Sequence, residues 1–132
     1  MNSVVIVVHN IPIRPEVLAM TRICMETLHQ TADRDYQQIL IDNGSRDGGE
    51  TLELLKSYRH SDADQFLSSE ANESISKCWN DALAVAAGEV VMLLNNDVVF
   101  QRSGWMSALE DAALGANVGA AGSKFLNWNG FS

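Results

Sequence analysis

Basic residues are scarce in this sequence. Lysine and arginine total 9 against 17 aspartates and glutamates, so the formal net charge is -8 at pH 7 and the pI is about 4.6. The basic residues form no cluster, whereas a protein that neutralises nucleic-acid phosphates needs one. We therefore expect no nucleic acid as a partner. An anionic ligand would have to be held locally, by backbone amides, a few cations or a bridging metal.

Long apolar runs and cysteines are also few. The run Val90–Leu94, like every other apolar run of the sequence, is far shorter than the roughly 20 residues that span a bilayer. The first run, Val4–Val8, is strand-length and is not preceded by the basic segment of a signal peptide. The two cysteines, Cys24 and Cys78, lie far apart within predicted helices. We expect both to be reduced and buried, which is typical of a cytoplasmic protein.

Several familiar functional signatures are missing. The segment HNIPIRPE, which follows the first predicted strand, contains no glycine, so the close pyrophosphate approach of a dinucleotide-binding fold is absent. Neither a G-x-x-x-x-G-K-[ST] loop nor a G-x-S-x-G elbow occurs. His9, His29 and His60 are too widely spaced for a zinc pattern, and we interpret His29 and His60 as solvated residues at helix ends.

The sequence does contain a regular alternation of strands and helices. Apolar runs typical of buried strands occur at Ser3–Val8, Tyr36–Ile41 and Glu89–Leu94, with a weaker one in DQFLSS. Helical spacing follows each of them, at Glu16–Gln30, around Leu52–Tyr58, at Ile75–Ala86 and at Gly104–Leu114. One or two short strands are expected in NVGAAGSKFLN. This order predicts an α/β fold with a mainly parallel sheet, helices on both faces and one domain, 1–132.

Polar residues end three of the predicted strands. His9 and Asn10 follow the first, Asp42-Asn43-Gly44-Ser45 the second, and Asn95-Asn96-Asp97 the fourth. Ligands of parallel α/β sheets bind beyond the carboxyl ends of the strands. The three polar strand ends therefore predict one binding site.

Asp97 is the strongest candidate for chemistry. Mg²⁺ and Mn²⁺ prefer oxygen ligands and often take only one or two carboxylates together with water and substrate phosphates. Asn95 and Asn96 provide hydrogen bonds without charge, which weakens metal binding before a diphosphate arrives. The alternative is that Asn-Asn-Asp simply forms a turn.

Asp42 and Asn43 have two interpretations as well. Their side-chain oxygens can accept the N3–H of a uracil or thymine ring. They can also form a turn with Gly44 that leads into the next helix. We expect both, with Ser45 or Asp47 capping the helix and Asp42 or Asn43 binding the base.

Taken together, these motifs resemble those of the family 2 glycosyltransferases, which have a GT-A fold. The family's first strand usually ends in Tyr-Asn, whose aromatic ring stacks on the base, and His9-Asn10 stands there. Its second strand ends in Asp-Asp/Asn-Gly-Ser, matched by residues 42–45. Its Asp-x-Asp metal motif, which follows Ala-x-Gly-Glu and a strand, is matched by Asn95–Asp97. Asn-Asn-Asp, Gly104-Trp105 and the VGAAGSK stretch look most like the rhamnosyltransferase-like branch.

The resemblance implies a Rossmann-like GT-A nucleotide-diphospho-sugar transferase fold. It implies inverting transfer of a sugar from a UDP-, dTDP- or GDP-linked donor to a glycan or lipid-linked acceptor, with Mg²⁺ or Mn²⁺ on Asp97. The implied nucleotide-sugar-binding residues are His9, Asn10, Asp42, Asn43, Asn72, Asn95 and Asn96, with the ribose near Asn96. A full-length enzyme of this kind would be cytoplasmic or peripheral at the inner face of the membrane.

The sequence departs from the family in three ways. Asn72-Glu73-Ser74 lacks the glycine of the family's Asn-x-Gly, and Asn95 replaces the first acid of the metal motif. Family members are also considerably longer, and their acceptor site and catalytic base lie in a C-terminal half. We therefore expect a truncated fold, the N-terminal donor-binding half, with an unknown catalytic residue. Glu110 and Asp111 are interpreted as acids on a helix face.

Other functions stay open at this point. The chain could be a non-catalytic nucleotide-sugar-binding module or an inactive fragment of an enzyme. A metal-dependent nucleotidyltransferase would need a glycine- and lysine- or arginine-rich loop after the first strand, which HNIPIRPE does not supply. An exposed sheet edge, with Trp128 and Phe131 in an apolar patch, would permit a homodimer.

Overall fold

The computed structural model describes residues 1–123. Its elements, in chain order, are β1 (Asn2–Val8), α1 (Glu16–Thr31), β2 (Tyr36–Asn43), α2 (Glu50–Ser57), β3 (Gln65–Ser69), α3 (Ile75–Leu83), β4 (Val90–Asn95) and α4 (Trp105–Ala113). Each of the eight lies where the sequence predicted an element of that type. The expected patch at Trp128 and Phe131 lies outside the described residues.

The last predicted strand segment is only partly described. Residues 117–123 of NVGAAGSKFLN form no strand, and all of them are exposed. Asn117 has a left-handed backbone with φ 63, which ends the helical region before it and does not continue into a strand. The prediction is therefore wrong for residues 117–123, and the remainder of the segment lies outside the described residues.

The four strands form one parallel sheet in the order β3-β2-β1-β4. In the register, Val8 pairs with Asp42, Val7 with Asn95, and Asn43 with Ser69. Consecutive parallel strands must be connected by crossovers, and each of these crossovers contains a helix. This confirms the predicted α/β fold with a mainly parallel sheet.

Helices cover both faces of the sheet, as predicted. On one face, Val4, Ile6 and Val8 of β1 pack with buried residues of α1, α2 and α4, among them Met25 and Met106. On the other face, β1 and β2 pack on α3, where the buried residues are Val5, Ile39, Ile41, Cys78 and Ala82. Both cysteines are free and buried, which confirms the prediction.

His29 and His60 lie at helix ends; His60 is exposed, as predicted, whereas His29 is half-buried, and both rings make contacts that the sequence did not indicate. His29 Nε2 lies 2.8 Å from Gln38 Oε1, and the His60 ring packs on Tyr36 with 4.5 Å between ring centroids. His60 Nδ1 also lies 2.9 Å from a carboxylate oxygen of the buried Asp64. Gln38 and Asp64 come beside these helix ends only through the fold, so spacing along the helices could not reveal the contacts. None of the helices within residues 1–123 combines the length and apolar character that a membrane span needs.

Candidate functional site

The polar ends of neighbouring strands meet at the carboxyl edge of the sheet. His9 follows β1 directly, Asp42 and Asn43 end β2, and Asn95 ends β4. Since β1 lies between β2 and β4, the three predicted segments come together at one edge. The end of β3 adjoins them at Ser69, the partner of Asn43 in the register.

Asn10 joins the loop after β1 to the loop after β2. Its backbone N–H donates to Ser45 Oγ at 2.9 Å, and its carbonyl accepts from the Arg46 N–H at 2.9 Å. Its side-chain Nδ2 donates to Asp47 Oδ2, also at 2.9 Å. Asn10 is 4% exposed, and its Oδ1 is buried without a partner within residues 1–123. Asn10 therefore holds two loops of the site together.

Asp47 fastens the same loop to α2. Its carboxylate accepts hydrogen bonds from the N–H and hydroxyl of Thr51 and from the N–H of Gly49. Burial by itself would raise the pKa of Asp47, but the donors from Thr51 and Asn10 hold the pKa below its usual value. Of the two predicted caps, Asp47 is the one that binds the first turn of the helix.

The side chain of Asn43 is fully engaged within the protein. Its Nδ2 donates to Asn72 Oδ1 and to the Glu73 carbonyl, both at 3.0 Å. Its Oδ1 accepts from the Glu73 N–H at 2.9 Å and from Ser69 Oγ at 3.1 Å. An amide has two hydrogens to donate and two lone pairs to accept with. Asn43 therefore binds the loop after β3 and has no hydrogen-bonding capacity left for a ligand in this arrangement.

Asp42 and His9 keep free positions beside Asn43. Asp42 Oδ1 accepts from the Ser45 N–H at 3.1 Å, while its Oδ2 has no hydrogen-bond partner within residues 1–123. His9 Nδ1 lies 2.8 Å from the Asn43 carbonyl, to which it donates when that nitrogen is protonated. One carboxylate oxygen of Asp42 therefore remains available to a ligand.

Gly44 lets the loop after β3 approach the loop after β2. Its φ is +66, and a Cβ added there would lie 2.3 Å from the carbonyl carbon of Ala71. By contrast, Ser74, at the family's glycine position, has an extended backbone and accepts from the Lys77 N–H at the start of α3. The missing glycine is thus replaced by a helix cap. Asn72 is exposed at this loop.

At the end of β4, the three residues of the Asn-Asn-Asp motif differ in their surroundings. Asn95 and Asp97 are exposed, and Asn96 is half-buried. Asn96 Nδ2 donates to Thr21 Oγ1 of α1 at 3.0 Å, so its Oδ1 and its second N–H remain for a ligand. Within residues 1–123 the Asp97 carboxylate accepts no hydrogen bond. The free side chains of the motif are therefore those of Asn95 and Asp97.

Cys24 lies beneath this turn. Burial raises the pKa of its thiol to about 11; the nearby Val98 N–H opposes this rise, and the negative charge of Asp97 adds to it. The thiol is therefore protonated at neutral pH and donates to the Asn95 carbonyl, with 3.6 Å between sulfur and oxygen. Its position shows that α1 runs directly below the segment that carries Asp97.

Divalent metal binding would depend on the ligand as well as on the protein. Within residues 1–123, no three His, Cys, Asp or Glu side chains are grouped so that they could hold an ion. The exposed Asp97 carboxylate and Asn95 amide fit a hard cation that takes its other oxygens from water and a diphosphate. The donor set is thus chemically suited to Mg²⁺ or Mn²⁺, but only with a ligand present.

Sequence reasoning missed Thr21 and Ser69, which hold Asn96 and Asn43 in place. The signal for Thr21 was present: small polar residues recur every three or four positions on α1, at Thr21, Cys24, Thr27 and Thr31. Ser69 carried no comparable signal, since serine is common at the end of a strand.

Residues 3–128 match the family model described as Glycosyl transferase family 2. The matched range includes all of the strand-end residues described above. No curated protein matches the chain.

Proposed function

Because the chain belongs to glycosyl transferase family 2, we propose that it binds a nucleotide-diphosphate sugar at the carboxyl edge of its sheet. The α/β fold with a four-stranded parallel sheet flanked by helices fits a GT-A, Rossmann-like domain. The observation that carries the proposal is the meeting of Asp42, with its free oxygen, and the exposed Asp97 at that edge. We propose that residues 1–132 form the donor-binding part of a glycosyltransferase.

The nucleotide base is proposed to bind between His9 and Asp42. The contact of His9 Nδ1 with the Asn43 carbonyl, at 2.8 Å, orients the ring at the end of β2, where a planar base could stack on it. The free Oδ2 of Asp42 could accept the N3–H of a pyrimidine, whereas the Asn43 amide is saturated. Asn10 and Asn43 then contribute by holding the loops, and Asn72 by its exposed position at the third loop.

The diphosphate is proposed to bind at Asn95 and Asp97, with a ribose hydroxyl donating to Asn96 Oδ1. A bound Mg²⁺ or Mn²⁺ would neutralise charge on the departing diphosphate. Transfer with inversion forms a bond from the acceptor oxygen to the anomeric carbon as the bond to the diphosphate breaks, and an aspartate or glutamate carboxylate acting as the base takes the acceptor's proton. The base is not assigned: Glu110 pairs with Arg34 at 3.1 Å, which supports its interpretation as a helix-face acid.

A second candidate is a nucleotide-sugar-binding module without transfer activity. This candidate needs no catalytic base, and none is assigned among the described residues. Donor binding would be the same in both cases. Transfer of the sugar from a nucleotide sugar to an acceptor would exclude the second candidate. Hydrolysis of the nucleotide sugar by the chain would exclude it as well.

The finer assignments are likewise proposals. Asn-Asn-Asp and Gly104-Trp105 support the rhamnosyltransferase-like branch. The acceptor is proposed to be a glycan or a lipid-linked glycan. The two reduced cysteines support a cytoplasmic location.

We also propose that the chain forms a homodimer through the edge of β4. Within residues 1–123, β4 pairs with β1 alone, and its sequence VVMLLN has neither a charge nor a proline to prevent further pairing. Leu93 is 43% exposed at this edge. A second copy would pair the free backbone groups and bury this side chain.

Calorimetric titration with UDP, dTDP and GDP, each in Mn²⁺ and in EDTA, tests donor binding. We expect one diphosphate to bind more tightly in Mn²⁺, and the Asp97→Ala variant to lose that metal-dependent gain. The matched control is Asp111→Ala, which removes an exposed aspartate from α4 and should leave the gain unchanged. Unchanged metal dependence in Asp97→Ala would reject Asp97 as the ligand. If the folded chain binds none of the three diphosphates, the proposed function is wrong.

A further inference from the structure

One side of α1 carries small polar side chains that contact residues 95–105, the segment from the end of β4 to the start of α4. We call these residues the α1 polar row: Thr21, Cys24, Thr27 and Thr31. They are three or four positions apart, a spacing that places them on one side of a helix. Each makes a hydrogen bond to the segment.

The first two members of the row bind the turn that contains Asp97. Thr21 accepts from Asn96 Nδ2 at 3.0 Å, and Cys24 donates to the Asn95 carbonyl at 3.6 Å. Both Thr21 and Cys24 are completely buried, whereas their partners Asn96 and Asn95 are half-buried and exposed. Asn95 and Asn96, which make these bonds, directly precede Asp97 in the sequence.

The other two members bind the segment further along. Thr27 accepts from the Phe100 N–H at 3.1 Å, and Thr31 accepts from Trp105 Nε1 at 2.9 Å. The Phe100 and Trp105 rings stack with 4.2 Å between centroids. This half of the row therefore fixes the approach to α4, away from Asp97.

Each threonine is oriented by its own helix. Thr21 Oγ1 donates to the Val17 carbonyl at 2.8 Å, and Thr27 and Thr31 donate in the same way to the carbonyls four residues earlier. A hydroxyl has one hydrogen to donate. Because that hydrogen is used within α1, each hydroxyl presents only lone pairs to the segment and acts as a fixed acceptor.

We propose that Thr21 is a positioning residue for Asp97, and that Asn96 is the tether through which it acts. The proposal rests on the proposed function, in which Asp97 holds a metal and diphosphate. Asp97 is exposed and accepts no hydrogen bond within residues 1–123, so nothing bonded to its own side chain sets its orientation. A site with one carboxylate depends on the turn that carries it, and the Thr21–Asn96 bond holds that turn.

A purely structural role for Thr21 makes a different prediction, and Thr31 provides the matched comparison. Thr21→Val and Thr31→Val make the same change on the same helix, and each removes one acceptor from the segment. A structural role predicts similar small losses of thermal stability and equal effects on binding. A positioning role predicts that only Thr21→Val impairs metal-dependent binding.

Titration of UDP, dTDP and GDP in Mn²⁺ and in EDTA measures this difference. For the diphosphate that the wild-type chain binds, we expect Thr21→Val to raise the Kd in Mn²⁺ by about 3- to 10-fold, the effect of one hydrogen bond. The Kd in EDTA and the Kd of Thr31→Val should stay within about twofold of wild type. Thr21→Ser keeps the hydroxyl and should restore the wild-type Kd.

Hydrogen exchange gives a readout that needs no ligand. Thr21→Val should speed exchange of the amides of residues 96–98, and Thr31→Val should not. Asn96→Ala should raise the Kd at least as much as Thr21→Val does, because it removes both the bond to Thr21 and the proposed ribose contact of Asn96 Oδ1, and the double variant should be no worse than Asn96→Ala alone. A further loss from Thr21→Val in the Asn96→Ala background would overturn the role of Asn96 as the tether.

The two proposals fail in different ways. The role of Thr21 alone is overturned if the wild-type chain shows metal-dependent binding and Thr21→Val changes neither that binding nor hydrogen exchange at residues 96–98. Absence of metal-dependent binding in the wild-type chain overturns the function of Asp97 and, with it, the positioning of that function by Thr21.

Discussion

Replacement of Gly44 by alanine tests how the loops of the site are assembled. Gly44 has a φ of +66, and an added Cβ would lie 2.3 Å from the Ala71 carbonyl carbon and 2.6 Å from the Asn72 nitrogen. Ordinary contacts begin at 3.4 Å. The obstacle is backbone, which cannot rotate away as a side chain can. The loop after β3 would therefore have to move by about 1 Å.

The structure provides a control with the same backbone requirement and no clash. Gly48 has a φ of +69, and nothing lies within 4 Å of its added Cβ. A left-handed conformation costs an L-residue roughly 1–2 kcal/mol, which is our expectation for Gly48→Ala. At Gly44, displacement of the loop also strains the four bonds of Asn43. Loss of two of them adds about 2 kcal/mol, so Gly44→Ala should destabilise by about 3–4 kcal/mol.

Urea unfolding followed by tryptophan fluorescence would measure both free energies. We expect Gly44→Ala to lower the unfolding free energy by about 2 kcal/mol more than Gly48→Ala does. An unfolded Gly44→Ala chain beside a folded Gly48→Ala chain supports the same conclusion. Equal destabilisation of the two variants would refute the close approach of Ala71 to Gly44.

Two further predictions concern pH and association. Burial alone would raise the pKa of Asp64, but hydrogen bonds from the N–H groups of His60 and Gln38 hold that pKa well below its usual range. Because the folded pKa is the lower one, the stabilisation is present above the unfolded value of about 3.9 and is lost as the pH falls below it. In urea unfolding between about pH 5 and 2.5, the unfolding free energy should therefore fall more steeply for wild type than for Asp64→Asn. Equal slopes would contradict this. Leu93→Lys places a charge on the edge of β4 and should convert a wild-type dimer to a monomer in sedimentation measurements, whereas a wild-type chain that is monomeric at high concentration would argue against the proposed dimer.

Local pattern was sufficient to predict the elements of the fold. The β-branched run of β1 and the three- and four-residue spacing in α3 reflect burial on a strand and on a helix, which depend on near neighbours in sequence. The meeting of the polar strand ends could also be predicted, because the carboxyl ends of parallel strands share one edge. Asp47 was recognisable as a cap since its partner, Thr51, is only four residues away.

The partners of individual side chains were not predictable in the same way. The sequence predicted that Asp42 or Asn43 binds a base, and the amide of Asn43 instead bonds residues 69, 72 and 73. His60 is exposed as expected, but its packing on the Tyr36 ring was not indicated by the sequence. These contacts join residues more than 20 positions apart, so their formation depends on how the strands are ordered and how the loops cross.

The sequence by itself determined the alternation of strands and helices, and it placed polar groups at the strand ends. Period and chain connectivity are properties of the sequence, and a parallel sheet brings such ends together whatever the side-chain details. Only the tertiary structure decided which of these groups remain free. Asn10, Asn43 and Asn96 look as suited to binding as Asp42 and Asp97 do. Asn43, however, uses all of its amide positions within the protein, and Asn10 and Asn96 each use one N–H to hold a neighbouring segment, so these positions are no longer available to a ligand.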